Sequence, residues 1–172
     1  MMAHAGQDGG VNEPAQPAIH PDVEPLAFLL GTWRGEGTGF YPTVEDFAYV
    51  EEVEFGHGGK PMLTYSQRTR DATSGEPRHA EVGFWRVVGQ GRLEIVLAHP
   101  TGAVEVSEGS FDGTHLEVRS TIVSLTTTAK RVDAIRRVFD VEPAEGTLTY
   151  RLDMAAVGQA LQPHLEATLH RV

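Results

Sequence analysis

Short stretches in which apolar and polar side chains alternate run along the chain from residue 33 onward. Their apolar positions are rich in Val, Ile, Tyr and Phe, which is typical of half-buried strands. The runs fall near 33–41, 46–56, 62–70, 78–88, 92–98, 103–111, 115–124, 132–141, 147–155 and 164–171. Turn sequences rich in Gly, Pro and Asp separate them, without a long helical pattern. The pattern therefore predicts an all-β domain and argues against a parallel α/β sheet.

The number and spacing of these runs favour a closed barrel. Consecutive short strands joined by tight turns form an antiparallel sheet, and closure of the sheet removes its exposed edges. We therefore expect a ten-stranded antiparallel up-and-down β-barrel, a size that can hold one small ligand. Before the first strand, PDVEPLAFLLG (21–31) predicts a short helical turn that ends at Gly31.

Residues 1–21 differ from the rest because they are mostly Gly, Pro, Ala, Gln and Asn. Such a segment buries too little apolar surface to offset its ordering entropy. We predict a flexible tail over 1–21 and a single barrel domain over 22–172. His4 and His20 fall in this tail and are expected to be solvated.

Charge and composition exclude several classes of function. The 172 residues carry 14 Lys and Arg against 24 Asp and Glu, a net charge of −10. Nucleic acids and anionic membranes both need a basic face, so neither is an expected partner. The chain lacks cysteine, which excludes disulfides and thiolate chemistry. It shows neither a secretory signal nor an 18-residue apolar run, so we expect a cytoplasmic location.

The densest signal is GTWRGEGTGFYPT (31–43), with glycines at 31, 35, 37 and 39. The last three share one face of an extended strand. Because glycine weakens a strand, this run indicates a sharp bend or the close approach of another backbone or a ligand. The stretch lacks the GK[ST] of a phosphate loop. Taken alone, it predicts a barrel-closing strand with Trp33 plugging the bottom.

GTWRGEG also fits the G-x-W-x-G-x-G signature of the nitrobindins, through Gly31, Trp33, Gly35 and Gly37. The chain resembles that family along nearly its whole length after the tail. Matching segments are FYPT (40–43), FAYVEEVEFGHGGKP (47–61), HAEVGFWR (79–86), LAHPTGAVEV (97–106) and LQPHLEATL (161–169). The resemblance implies one haem b in the mouth of a barrel shaped like the fatty-acid-binding proteins. It also implies that the ferric form isomerises peroxynitrite to nitrate, with nitric oxide binding as a close variant.

The resemblance places the axial iron ligand on His164, in LQPHL. A cysteine-free chain must bind haem iron through His, Met or Tyr, so this assignment is chemically compatible. The family match adds further pocket residues at the cofactor, namely Thr43, His79, His99, Lys130 and Met154. Lys130 would pair with a propionate. Each residue also has an alternative role without the cofactor. Lys130 could be a solvated loop lysine, Met154 could fill the core, and His79 and His99 could be polar residues at strand ends or turns.

The alternation of the last strand raises a difficulty. His164 shares its parity with Glu166 and Thr168, whereas Leu165 and Ala167 form the apolar face. A straight strand would therefore point His164 outward. Pro163 cannot donate to the ladder, so we predict a bulge at His164. His170 is the rival ligand.

A different class of function remains compatible with the fold, namely a non-catalytic carrier of a fatty acid or another apolar ligand. Such a carrier needs an internal cation, for which Arg68, Arg86 and Arg136 are candidates. Neither acid pair, Glu45-Asp46 or Glu51-Glu52, makes a shared acid/base site, because adjacent strand residues face opposite ways. Both pairs are interpreted as solvated edges or loops. The sequence leaves open whether the barrel forms a homodimer.

Overall fold

The computed structural model describes residues 17–89 and 91–172. These residues form ten antiparallel strands, each hydrogen-bonded to its neighbours, and β1 pairs with β10 to close a barrel. The strands are β1 (Gly31–Tyr41), β2 (Val44–His57), β3 (Leu63–Asp71), β4 (Pro77–Val87), β5 (Arg92–Ala98), β6 (Ala103–Asp112), β7 (His115–Leu125), β8 (Val132–Glu142), β9 (Thr147–Ala156) and β10 (Gln162–Arg171). The predicted ten-stranded up-and-down barrel is confirmed.

A 3₁₀ helix, Pro21–Leu29, precedes the first strand and closes one end of the barrel. Its inward side chains Val23, Leu26 and Leu29 are fully buried and join the barrel core. The predicted helical turn is thus confirmed. Gly31 then opens β1 at a φ of 113°, a conformation that L side chains rarely adopt. Within the described ranges, no helix has the length and apolar character needed to cross a lipid bilayer.

The first 16 residues of the predicted tail, including His4, lie outside the described residues. The last residues of the tail are packed against the barrel. Ile19 contacts the core, and the Nδ1 atom of His20 accepts a hydrogen bond from the backbone N–H of Asp22 at 3.2 Å. Contacts with the barrel therefore begin before residue 22, and the flexibility of the tail stays a prediction.

The glycines of β1 allow its neighbours to approach closely. A Cβ atom on Gly35 would collide with the backbone carbonyl of Thr168 in β10, and one on Gly37 would overlap the ring of Tyr49 in β2. The predicted close approach is therefore confirmed, and protein atoms account for it at both positions.

Trp33 fills the bottom of the barrel, as predicted. Its ring is fully buried, and its Nε1–H donates a 2.7 Å hydrogen bond to the carbonyl of Leu29. The guanidinium carbon of Arg171 lies 4.2 Å from the ring centroid. The tryptophan therefore links the helix to both the first and the last strand, which fixes the closed end of the barrel.

Candidate functional site

The topology brings all six predicted cofactor residues to the end of the barrel opposite the helix. In an up-and-down barrel, odd strands end where even strands begin. Thr43 lies in the β1–β2 turn, and Lys130 lies between β7 and β8. The four others lie at strand ends or beginnings, namely His79 in β4, His99 after β5, Met154 in β9 and His164 in β10. We call this end the mouth.

A β-bulge at His164 interrupts the alternation of inward and outward side chains along β10. The register with β9 passes from the Pro163–Asp153 pair to the Leu165–Leu152 pair, so His164 is the extra residue. The predicted bulge is confirmed. Because the extra residue of a bulge is unpaired, its side chain need not follow the parity of the strand. The ring of His164 is half-buried.

Two neighbours in β1 orient the imidazole. The Nδ1 atom of His164 lies 2.9 Å from the carbonyl oxygen of Phe40. Because a carbonyl oxygen only accepts, Nδ1 carries the proton of this hydrogen bond. The ring of Tyr41 meets the imidazole edge-on, with the centroids 5.2 Å apart. The Tyr41 hydroxyl is itself fixed by the backbone N–H of Ala156 at 2.8 Å.

This environment suits a haem-iron ligand. Burial lowers the pKa of His164 below its ordinary value; the Phe40 carbonyl opposes this and the charge of His79 adds to it. The imidazole is therefore neutral at neutral pH, and its second nitrogen, Nε2, keeps its lone pair. Across residues 17–89 and 91–172, the structure shows no hydrogen bond to Nε2. Metal-bound histidines characteristically donate their other N–H to a carbonyl or carboxylate, as His164 does.

His79 and His99 form a second group at the mouth. The Nε2 atom of His79 lies 3.3 Å from the Nδ1 atom of His99. The side chain of His79 is 30% exposed, whereas that of His99 is only 7% exposed. Both nitrogens face the carboxylate of Glu81, which sequence reasoning missed.

The remaining predicted residues are spread around the mouth. Met154 is half-buried and packs against the core, and its carbonyl accepts a hydrogen bond from the Tyr41 hydroxyl at 3.2 Å. Thr43 and Lys130 are exposed at the rim. The rival ligand His170 is wrong for this site, because it is exposed near the closed end, where its Nδ1 lies 3.4 Å from the hydroxyl of Thr147.

A buried ionic cluster lies inside the barrel below the histidines. Arg137 is 4% exposed and donates to both carboxylate oxygens of Glu105 and to Oε1 of Glu81, the latter at 2.9 Å. The hydroxyl of Ser107 also donates to Oε1 of Glu105, at 2.5 Å. Parity could have revealed part of this cluster, because Glu81 shares the inward face of β4 with Trp85.

The prediction of a solvated acid pair at 51–52 is wrong for Glu51. Its side chain is buried, and it accepts hydrogen bonds from the hydroxyl of Tyr150 at 2.8 Å and the amide of Gln67 at 3.1 Å. Burial raises the pKa of Glu51 to about 7. Glu52 faces outward and pairs with Arg34 at 2.7 Å. Adjacent residues of β2 do face opposite ways, as predicted, and one carboxylate of this pair therefore points into the barrel.

The internal cation that a fatty-acid carrier needs is not among the three arginines proposed for it. Arg68 and Arg86 are exposed, and Arg136 pairs on the outside with Glu117 and Asp153. Arg137 is the buried arginine, and two carboxylates already neutralise it. The cavity beside this cluster measures about 20 Å³, enough for roughly one water molecule.

A larger hollow of about 510 Å³ lies over the strands around Gly37. It is lined largely by exposed outward-facing side chains, among them Glu36, Thr38, Glu166 and Thr168. None of the histidines lines it. We therefore place the candidate site at the mouth and not in this groove.

Residues 22–171 match the family model described as "THAP4-like, heme-binding beta-barrel domain". The chain belongs to this family. The match spans every strand and includes His164, so the haem-binding barrel implied by the resemblance to the nitrobindins is confirmed. Haem is accordingly the cofactor of this barrel.

Family members with curated names resemble the chain over most of their length. "Peroxynitrite isomerase 1" of Mycolicibacterium paratuberculosis is 52% identical over 157 residues, which cover 89% of this chain and 96% of that protein. An Arabidopsis thaliana protein, "Peroxynitrite isomerase Rv2717c", is 42% identical over 163 residues, or 94% and 95% of the two chains. The crystal structure of Rv2717c from M. tuberculosis superposes with a TM-score of 0.84 at 43% identity, covering 90% of this chain and 99% of that one.

Proposed function

We propose that this protein is a haem-dependent isomerase that converts peroxynitrite to nitrate, with His164 as the axial ligand of one haem b per chain. Family membership and the names of its relatives support the reaction. The observation that carries the ligand assignment is the hydrogen bond from Nδ1 of His164 to the carbonyl of Phe40. It leaves Nε2 as a neutral nitrogen with a free lone pair at the mouth.

When bound, ferric haem supplies an open coordination position for peroxynitrite, and nitric oxide would use the same position. The chain determines how the haem is held. The Phe40 carbonyl fixes the tautomer and orientation of His164 and makes Nε2 a stronger donor. Tyr41 packs against the ring edge, and its hydroxyl is tied to the end of β9. The imidazole is thus pre-oriented by backbone groups on both sides of β10.

The other mouth residues have supporting roles in this proposal. Lys130 is exposed in the β7–β8 loop, and its ammonium would pair with a haem propionate as a point charge. Thr43 lies at the same rim and would contact the edge of the cofactor. Met154 would line the pocket with an adaptable apolar side chain. His79 and His99 would face the cofactor from β4 and β5.

The interior argues against the carrier alternative. Pockets for drug-sized or larger ligands measure roughly 300–1,000 Å³, whereas the cavity below the mouth measures about 20 Å³. The buried guanidinium of Arg137 is fully engaged by Glu81 and Glu105. A fatty acid would therefore have to displace a carboxylate and several core side chains to enter.

A haemin titration of the wild type beside His164→Ala tests the proposal. We expect a Soret band at one haemin per chain in the wild type and its loss or shift in the variant. His170→Ala is the matched control, because it removes a histidine from the other end of the same strand, and its spectrum should equal that of the wild type. Stopped-flow decay of peroxynitrite with nitrate quantification should then show acceleration by the wild type and by His170→Ala.

Two results would contradict the proposal in different ways. Identical Soret bands in the wild type and His164→Ala would keep haem binding but reject His164 as the ligand. Saturated haem binding without acceleration of peroxynitrite decay would keep the ligand assignment and reject the reaction.

A further inference from the structure

Three potential metal ligands converge on one point at the mouth. The Nε2 atom of His79 and the Nδ1 atom of His99 are 3.3 Å apart, and they lie 3.6 and 3.7 Å from Oε1 of Glu81. Ligand atoms about 2.0–2.1 Å from a tetrahedral zinc ion lie about 3.4 Å from one another. The three atoms therefore already have the spacing of a metal-binding triad.

A second, independent observation is the unpaired oxygen of Glu81. Its carboxylate is 7% exposed, and Oε1 accepts from Arg137. The other oxygen, Oε2, is buried without a hydrogen-bond partner among the described residues. Leaving a charged acceptor unsatisfied in the interior is costly, so such atoms call for a ligand or an ion.

The charge of the cluster also favours a cation. The carboxylates of Glu81 and Glu105 are both buried, and both accept hydrogen bonds from the single guanidinium of Arg137. Two buried carboxylates against one guanidinium leave one negative charge beside the two histidines. Buried charges of this kind are normally paired or coordinate a metal ion.

Glu105 lies behind His99, where its carboxylate could accept a hydrogen bond from the ring nitrogen that does not face the metal. The Nε2 atom of His99 lies 3.5 Å from Oε2 of Glu105 and has no hydrogen-bond partner in the described part of the chain. A cation on Nδ1 would leave the proton on Nε2, pointing toward Glu105. Metal-bound histidines typically have such a carboxylate behind them.

We propose that His79, Glu81 and His99 form a binding site for a divalent first-row transition-metal ion, with Zn²⁺ as a suitable occupant. Two imidazoles and one carboxylate are a common protein ligand set for zinc and for non-haem iron, and they leave positions open. The triad belongs to β4 and the end of β5, whereas His164 belongs to β10. The site is therefore separate from the iron ligand and does not depend on the proposed isomerase activity.

The simpler alternative is a hydrogen bond between two neutral histidines that needs no ion. It accounts for the 3.3 Å distance between His79 and His99. It leaves Oε2 of Glu81 without a partner in the part of the chain that the structure describes, whereas a metal ion held by both oxygens of this carboxylate would satisfy that atom. It also leaves Arg137 as the single cation for the two carboxylates. Metal binding distinguishes the two interpretations, because a hydrogen-bonded pair without a metal function would not take up Zn²⁺ stoichiometrically.

The test is equilibrium dialysis of the full-length, haemin-loaded protein against ZnCl₂, followed by metal analysis. We expect one zinc per chain, with the dissociation constant raised by tenfold or more in both His79→Gln and His99→Gln. His115→Gln is the matched control. It removes a histidine that lies 2.6 Å from a carboxylate oxygen of Asp140 on the exposed surface, and it should leave zinc binding unchanged. Circular dichroism checks that each variant is folded.

Haemin and zinc should be held by different ligand side chains, although His79 and His99 lie beside the haem in the proposed function. His164→Ala should lose the wild-type Soret band and keep its zinc, and the haem-free wild type should bind zinc as well. The proposal is overturned if the wild type binds no zinc, if both triad variants bind it as the wild type does, or if His115→Gln alone abolishes binding. Displacement of haemin by one equivalent of zinc would also overturn it, because the two sites would then share ligands.

Discussion

The two ends of the barrel interior contain different kinds of side chain, apolar at the closed end and ionisable toward the mouth. At the closed end, Trp33, Leu26 and Leu29 are fully buried, and Trp85 packs against its aromatic neighbours at centroid distances of 5.0–5.6 Å. Toward the mouth, the interior holds buried ionisable side chains. Arg137 is hydrogen-bonded to Glu81 and Glu105, whereas Glu51 is hydrogen-bonded to Tyr150 and Gln67.

This difference assigns stability mainly to one end of the barrel and ligand binding to the other. The closed end stabilises the fold through apolar burial, which does not require a specific partner for each atom. The polar half contributes little to the net free energy of unfolding unless each buried charge is paired, so its side chains are better suited to positioning a ligand or an ion. Damage to either half should destabilise the barrel, but only the polar half and the mouth should change what it binds.

The largest effect is expected at the closed end. Trp33→Ala removes a fully buried ring, its hydrogen bond to Leu29 and its contact with Arg171. We expect the free energy of unfolding to fall by about 5 kcal/mol. Urea denaturation measures this loss. The fraction that remains folded should bind haemin as the wild type does, and a changed Soret position would break the separation between the two ends.

Within the polar half, Arg137→Met should lower the free energy of unfolding by about 4 kcal/mol, because it leaves the carboxylates of Glu81 and Glu105 buried without their cation. The triple variant with Glu81→Gln and Glu105→Gln removes the uncompensated charges as well. It should recover part of the loss in urea denaturation. A triple variant less stable than Arg137→Met alone would mean that the charges do not act as one unit.

Much of the fold was predictable because it follows from local rules. Alternation gave the ten strands, and the glycine spacing in β1 gave the close approach of β10 and Tyr49. The bulge at His164 followed from the proline before it and the parity conflict. These features depend on backbone geometry, which the sequence encodes over a few neighbouring residues.

The ionic cluster was not predictable in the same way. Glu81 and Glu105 come from two strands and Arg137 from a third, so no local spacing links them. Parity can mark each as inward, but the pairing depends on the register of the closed barrel. The same reason explains the wrong choice among the arginines, where neighbouring Arg136 and Arg137 point to opposite sides of β8.

Glu51→Gln tests the cost of an inward carboxylate that has no cation bound directly. The folded-state pKa of about 7 lies above the ordinary value of 4.5. The stability that this group contributes is therefore complete below about pH 4.5 and is lost as pH rises through 7. Relative to wild type, the variant should gain up to about 3 kcal/mol in unfolding free energy between pH 4.5 and pH 8.

The neighbouring carboxylate provides the control for this effect. Glu52 faces outward and pairs with Arg34, so Glu52→Gln removes a carboxylate from the same strand without touching the barrel interior. Urea denaturation at several pH values measures both. A flat difference for Glu51→Gln would mean that Glu51 is ionised in the folded protein throughout.

The smallest effect on stability should accompany the largest effect on binding. His164→Gln leaves the half-buried position filled and removes only the imidazole, so we expect the haem-free barrel to change its unfolding free energy by less than about 1 kcal/mol. Haemin affinity should nevertheless collapse, because Gln offers no imidazole nitrogen to the iron. If urea denaturation instead showed a loss comparable to that of Trp33→Ala, His164 would be part of the structural core, and the division between a stabilising closed end and a binding mouth would not hold.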